Sequence, residues 1–230
     1  MRAMSTLRKL PTTILGTGYE LHCLRLLNEQ LRMSLDRIGG KGDGGIDLQG
    51  WWNFPHTNPS MTAPDAYPPQ RIRVLAQCKA EKTRPGPRLI REMEGVARRE
   101  HDFGFGRQQH HGGSISGDPL ETAIVALLCS RSGFSPAAVI EANRSRIPTL
   151  LLHIPFDYEA QLISRHQPIM HAVDHELLDS LPRRLRGAFW NAALMGTRGV
   201  LGNGWEIREE FAHGVEDEFR IKIHRDGRPM

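Results

Sequence analysis

The sequence predicts an α/β fold: a central mixed β-sheet flanked by helices, with a helical extension at the C-terminal end. Three observations predict it. Apolar residues recur at helical spacing in some segments and alternate at strand spacing in others. The two kinds of segment are interleaved along the chain, which calls for helices packed on a sheet. The longest apolar stretches, Ala123 to Cys129 and Thr149 to Ile154, have strand length, far from the ~18 residues of a membrane span.

The elements follow in order. Residues 1–19 hold Arg2, Arg8 and Lys9, several Ser and Thr, and Glu20 is the first acid. That composition fits a short organellar transit segment and fits an ordinary disordered start equally well. Thr17 begins a helix pattern, with Tyr19, Cys23, Leu24, Leu26, Leu27 and Leu31 at three- and four-residue spacing, running to about Leu35. Thr17 followed by Glu20 has the form of a capping box. The glycine-dense turn Gly39 to Gly45 leads into a strand at Ile46-Asp47-Leu48, and Trp51 to Gln70 reads as a long loop. Arg71 to Lys79 alternates Ile72, Val74, Ala76 and Cys78 with polar residues, so it is a strand with one apolar face.

After Pro85-Gly86-Pro87, Arg88 to Arg99 reads as a helix; His101 to Gly117 is a loop whose His110-His111 pair lacks a partner at metal-ligand spacing. Thr122 to Cys129 is a buried strand. Ser135-Pro136 opens a helix, with serine as N-cap and proline in the first position. Thr149 to His153 is a strand, and Tyr158 to Phe189 is again helical in pattern. Trp205 to Ile207 and Phe219 to Ile223 fit short strands.

The composition is that of a globular protein: 230 residues, 39% hydrophobic and 24% charged. The net charge of +4 and pI near 9.2 permit a polyanionic partner. Lys82 to Arg107 holds seven basic residues against four acids, and Arg183, Arg184, Arg186 and Arg198 form a second basic stretch. Each cluster alone fits a solvated helix face. Cys23, Cys78 and Cys129 are far apart in apolar contexts and show no CxxC spacing, which argues against a disulfide framework and for three small core residues.

Residues two apart on a strand point the same way, so Gln77 and Lys79 share a face while Cys78 points to the other. A lysine on an otherwise buried strand needs a partner. Asp47, on the preceding strand after Gly44-Gly45, can converge on it, and Glu20 on the first helix can reach the same sheet. Carboxylates with carbonyl oxygens suit a hard cation such as Mg²⁺, and Lys79 could orient a water for attack on a phosphodiester. A buried Asp–Lys ion pair without chemistry satisfies the same spacing. Asp43 fits a turn residue or a group behind the metal site. The Gly39 to Gly45 loop lacks the endings and spacing of nucleotide-binding loops.

Gly18-Tyr19-Glu20, Gly42-Asp43-Gly44-Gly45-Ile46-Asp47-Leu48 and Gln77-Cys78-Lys79 together resemble the Mrr-type branch of the PD-(D/E)xK nuclease superfamily. Arg91-Glu92-Met93-Glu94-Gly95 resembles its helix after the lysine strand, and Ser130 to Ala138 resembles its strand-to-helix stretch. With the Pro-rich insertion and the Pro85-Gly86-Pro87 approach, the pattern resembles a fungal mitochondrial family described as required for respiratory growth. The likeness spans roughly residues 14 to 155.

The resemblance implies a restriction-endonuclease-like core over 14–155, a possible transit remnant over 1–13 and a helical extension over 156–230 packed on the same domain. It implies a mitochondrial protein, acting in mitochondrial DNA maintenance as a Mg²⁺- or Mn²⁺-dependent endonuclease. Asp47 is then the principal metal ligand, Gln77 takes a position usually held by an acid, Lys79 is the catalytic lysine, and Glu20 supports the metal. Arg88, Arg91, Arg98 and Arg99 would lie along nucleic-acid phosphates, DNA foremost. Related nucleases often dimerise, so a homodimer is a further expectation. Two departures stand: Ile46 replaces the motif's proline, and neutral Gln77 leaves the metal one charge short. The competing expectation is therefore a catalytically inactive nucleic-acid-binding or structural protein that keeps the fold.

Overall fold

The computed structural model describes residues 10–38, 44–54, 70–108, 123–164, 172–211 and 219–229. The transit-like start through residue 9, the turn residues 39–43 with Asp43, most of the Pro-rich insertion and the His110-His111 pair lie outside them.

The chain runs α1 (Thr12–Gln30), β1 (Met33–Arg37), β2 (Leu48–Phe54), β3 (Gln70–Lys79), α2 (Pro87–Gln108), β4 (Ile124–Ser130), α3 (Pro136–Arg144), β5 (Thr149–His153), α4 (Tyr158–Ser164), α5 (His175–Ser180), β6 (Gly187–Trp190), α6 (Ala192–Met195), β7 (Trp205–Phe211), β8 (Phe219–Arg225) and β9 (Arg228–Pro229). Six strands form one mixed sheet in the order β1-β2-β3-β4-β5-β6. β3, β4 and β5 are parallel, because α2 and α3 carry the chain back between them. β1, β2 and β6 join antiparallel at the flanks. β4 is buried at every position, so Ile124 to Ser130 reads as an apolar run rather than an alternation.

Strand parity divides the interior into two cores. On one face, Leu48, Trp52, Ile72, Val74, Ala76 and Leu127 pack under α1 with its Tyr19, Cys23, Leu26 and Leu27. On the other, Leu75, Leu128 and Leu151 pack under α2 and α3 with Leu89, Ile90, Met93 and Ala138. Ser135 caps α3 by accepting from the Ala138 N–H at 3.2 Å, with Pro136 next, as its sequence requires. Asn191 is buried and braces three elements: its Oδ1 accepts from the N–H groups of Thr149 and Leu194, and its Nδ2 donates to the carbonyls of Ala142, Ser145 and Ile147.

Three sequence expectations are corrected. The first helix starts at Thr12 behind Pro11, not at Thr17, and stops at Gln30. Arg32 then takes a left-handed conformation, and Met33 to Arg37 pairs with β2 as a strand. Met33 and Leu35 fit either period, and the sheet settles it. Asn28 completes this edge by bonding both backbone groups of Leu35, at 3.0 and 2.9 Å. Glycine is required opposite it, since a Cβ on Gly50 would strike the Ser34 backbone. Second, Trp51 to Phe54 continues β2 rather than opening a loop. Third, residues 156–230 are not a helical extension. Their described residues hold three short helices, the edge strand β6 and a three-stranded sheet in the order β7-β8-β9. That sheet adds Trp205, Ile221 and Ile223 to the core under α1, and Gln30 Oε1 accepts from the Ile221 N–H at 2.9 Å.

Candidate active site

Asp47 sits just before β2 and is held by backbone on both sides. Its N–H donates to the Ala76 carbonyl and its own carbonyl accepts from Ile38, each at 2.9 Å. Its carboxylate accepts from the Cys78 N–H at 2.7 Å, a charge-assisted bond that pins the acid against the Ala76 to Cys78 segment of β3. The turn that delivers it needs glycine: Gly44 and Gly45 have φ of +64° and +85°. A Cβ on Gly45 would come 3.3 Å from Gln77 Nε2, so the glutamine amide lies close over this turn.

Gln77 and Lys79 are half-buried on the α2 face of β3. Leu75 on that face belongs to the core under α2, and Arg73 ion-pairs with Glu100 of α2 at 3.6 Å. Gln77 Oε1 is buried without a hydrogen-bond partner. An orphaned carbonyl oxygen in such a place is a strong acceptor awaiting a donor or a cation. Lys79 pairs in register with Ser130 of β4, and among the described residues its ammonium forms no ion pair.

Glu20 has a different setting. Its carboxylate takes the Arg37 guanidinium at 2.6 Å, tying α1 to the end of β1. The four basic residues of α2 also divide. Arg88 pairs with Glu92 and Arg91 with Glu141 of α3, both at 2.7 Å, and the Arg91 bond holds the Glu141 carboxyl below its ordinary value. Arg98 and Arg99 are exposed without an acid partner among the described residues. Arg99 packs against Gly44, so close that a Cβ there would meet its guanidinium at 2.6 Å. This puts a cation against the turn that positions Asp47, which helix spacing alone does not reveal.

Oxygen donors on Asp47 and Gln77 are of the type a hard divalent cation takes. Lys79 shares the strand face of Gln77, and Arg99 lies against the turn before Asp47, so oxygen donors and cations stand on one side of β3. Behind it, on the other face of β3, the three cysteines converge. Hydrogen bonds from Cys23 and Cys78 hold the Cys129 thiol below its ordinary value against burial, while Cys23, chiefly by burial, and Cys78, chiefly by its bond to Cys129, are pushed up.

A family model described as required for respiratory growth protein 7 matches residues 11–175. The chain belongs to this family. The match contains α1 through α4 and every candidate site residue, as the sequence motifs implied. An uncharacterized mitochondrial protein of Schizosaccharomyces pombe is 27% identical over 162 residues, covering 69% of this chain and 53% of its own length. The Saccharomyces cerevisiae protein named required for respiratory growth protein 7, mitochondrial, is 31% identical over 115 residues, covering 37% of this chain and 48% of its own length. The chain thus spans about half the length of these relatives. Both are named as mitochondrial, and the chain is a mitochondrial protein of the respiratory-growth family. No solved structure matches it.

Proposed function

We propose that the chain is a metal-dependent nuclease of the Mrr-like PD-(D/E)xK kind, acting on DNA in mitochondrial genome maintenance. One observation carries this reading: the Asp47 carboxylate is locked at 2.7 Å onto the Cys78 N–H, between Gln77, whose buried carbonyl oxygen has no hydrogen-bond partner among the described residues, and Lys79, which forms no ion pair among them. Asp47 and Gln77 would hold Mg²⁺ or Mn²⁺. Such an ion supplies Lewis-acid polarisation of the phosphodiester and acidifies a bound water. Lys79 would orient the attacking water and stabilise the negative charge that builds on the phosphoryl oxygens. Glu20, engaged by Arg37, is a positioning residue in this reading. Arg98 and Arg99 supply the salt-sensitive grip on the backbone.

The second reading is a nucleic-acid-binding protein that keeps the fold without turnover. Neutral Gln77 favours it, because one carboxylate fewer weakens the hold on a divalent cation. Plasmid nicking with Mg²⁺ or Mn²⁺ separates the two. Wild type should nick, Lys79→Ala should nick about 10²- to 10³-fold more slowly, and Asp47→Ala should be inactive. Folded wild type that cuts neither DNA nor RNA, or variants that cut as well as wild type, would defeat the nuclease reading. Retained DNA binding would then support the second.

A further inference from the structure

The chain has three cysteines, and all three meet at one point. Cys23 comes from α1, Cys78 from β3 and Cys129 from β4. Cys78 and Cys129 are paired across the parallel β3–β4 ladder, and Cys23 descends on them from the helix above. Their sulfurs lie within 4.8 Å of one another. A core that needs small apolar fillers can use alanine or valine at any of many positions. It has no packing reason to gather every thiol of the chain, from three separate elements, into mutual contact.

We propose that Cys23, Cys78 and Cys129 form a three-thiolate site for a soft d¹⁰ cation, Cu⁺ or Zn²⁺. Metal–sulfur bonds of about 2.3 Å place the sulfurs of a trigonal site about 4 Å apart. The cluster therefore needs to contract by less than about 1 Å to close on an ion. Thiolates select Cu⁺ and Zn²⁺ over hard cations such as Mg²⁺. Among the described residues, no histidine, carboxylate or fourth thiol joins the group, and the Tyr19 hydroxyl one turn before Cys23 is engaged with the Ile154 carbonyl at 3.1 Å. Three sulfurs alone suit low-coordinate Cu⁺, whereas Zn²⁺ would complete its tetrahedron with a water. Thiol protons leave as the ion enters, and nothing is oxidised. Cys78 and Cys129 are held by the sheet and Cys23 by a helix packed on it, so the donors are ordered before the ion arrives. The inference does not depend on the nuclease reading, although Cys78 lies between Gln77 and Lys79 and an ion on its sulfur would stiffen the strand that carries both.

The test uses the full chain, purified reduced and metal-free. Cu⁺ is supplied anaerobically as its acetonitrile complex in competition with bicinchoninate, and Zn²⁺ separately against a chromogenic chelator. The expected result is one ion per chain and a higher Tm in its presence. X-ray absorption should show a shell of three sulfurs at about 2.3 Å, joined by one oxygen if the ion is Zn²⁺. Cys23→Ala and Cys129→Ala should weaken binding by more than the about 10- to 100-fold that loss of a supporting group costs, while His101→Ala leaves it unchanged. Failure to take up either ion, a shell of nitrogen and oxygen, or cysteine variants that fold and bind like wild type would overturn the proposal and leave a packed thiol core. If the variants do not fold, the sulfur count in wild type decides alone.

Discussion

The two faces of β3 come from one strand and differ in kind. Toward α1 it presents Ile72, Val74 and Ala76, buried beneath the helix, and Cys78, partly buried at the end of the same face. Toward α2 it presents Arg73, Leu75, Gln77 and Lys79, where only Leu75 joins the core. The first face stabilises the fold. The second spends stability on polar groups, of which Gln77 Oε1 is left without a partner. Uncompensated polarity on a buried strand is the signature of a site rather than of packing.

The largest effect expected is on the apolar face. Leu127 is fully buried under α1, and Leu127→Ala should cost about 2–5 kcal/mol in urea unfolding, with metal-dependent nicking per folded molecule retained. A loss of nicking in the folded variant would erase the division of labour between the faces.

Next in size is a pH dependence that also belongs to the α1 face. Burial first, then Arg183 and Arg25, lower His22 from its ordinary 6.5 to about 4. Between those values the unfolded chain takes up a proton that the folded chain refuses. Stability should therefore fall as pH drops from about 6.5 toward 4, by about 3 kcal/mol in total. Urea unfolding across that window should show the slope in wild type and a shallower one in His22→Leu. An unchanged slope in the variant would assign the dependence to other groups.

The smallest effect sharpens the contrast most. Replacing Gln77 by leucine removes an unsatisfied buried carbonyl at little cost in shape. Gln77→Leu should leave stability unchanged or raise it by about 1 kcal/mol while abolishing nicking. A clear loss of stability would show that the amide is paired after all, and the two faces would then differ less than the geometry indicates.

Much of this was legible in the sequence because it rests on local rules. The alternation in Ile72 to Lys79 placed Cys78 opposite Gln77 and Lys79, Ser135-Pro136 marked a helix start, and Gly44-Gly45 marked the turn before Asp47. β1 was not legible, because Met33 and Leu35 satisfy helical spacing as a continuation of α1 and only pairing with β2 decides between the two. The C-terminal region was read as helical because Tyr158 to Phe189 has helical periodicity, yet its strands form only where α1 and β5 offer them a surface and an edge. Of the two paired arginines on α2, Arg88 has its partner Glu92 by helix spacing alone, whereas Glu141 becomes a neighbour of Arg91 only once α3 packs alongside.

The sequence by itself determined which residue types could carry chemistry and on which face of a strand each would lie, because side-chain direction in a strand follows from backbone geometry alone. Tertiary structure alone decided which of them meet. Asp47 reaches Cys78 across thirty-one positions, Glu20 is claimed by Arg37, and three cysteines that share no spacing become one cluster. Such encounters depend on how whole elements pack, and no local pattern encodes the distance between side chains brought together by a sheet and the helix above it.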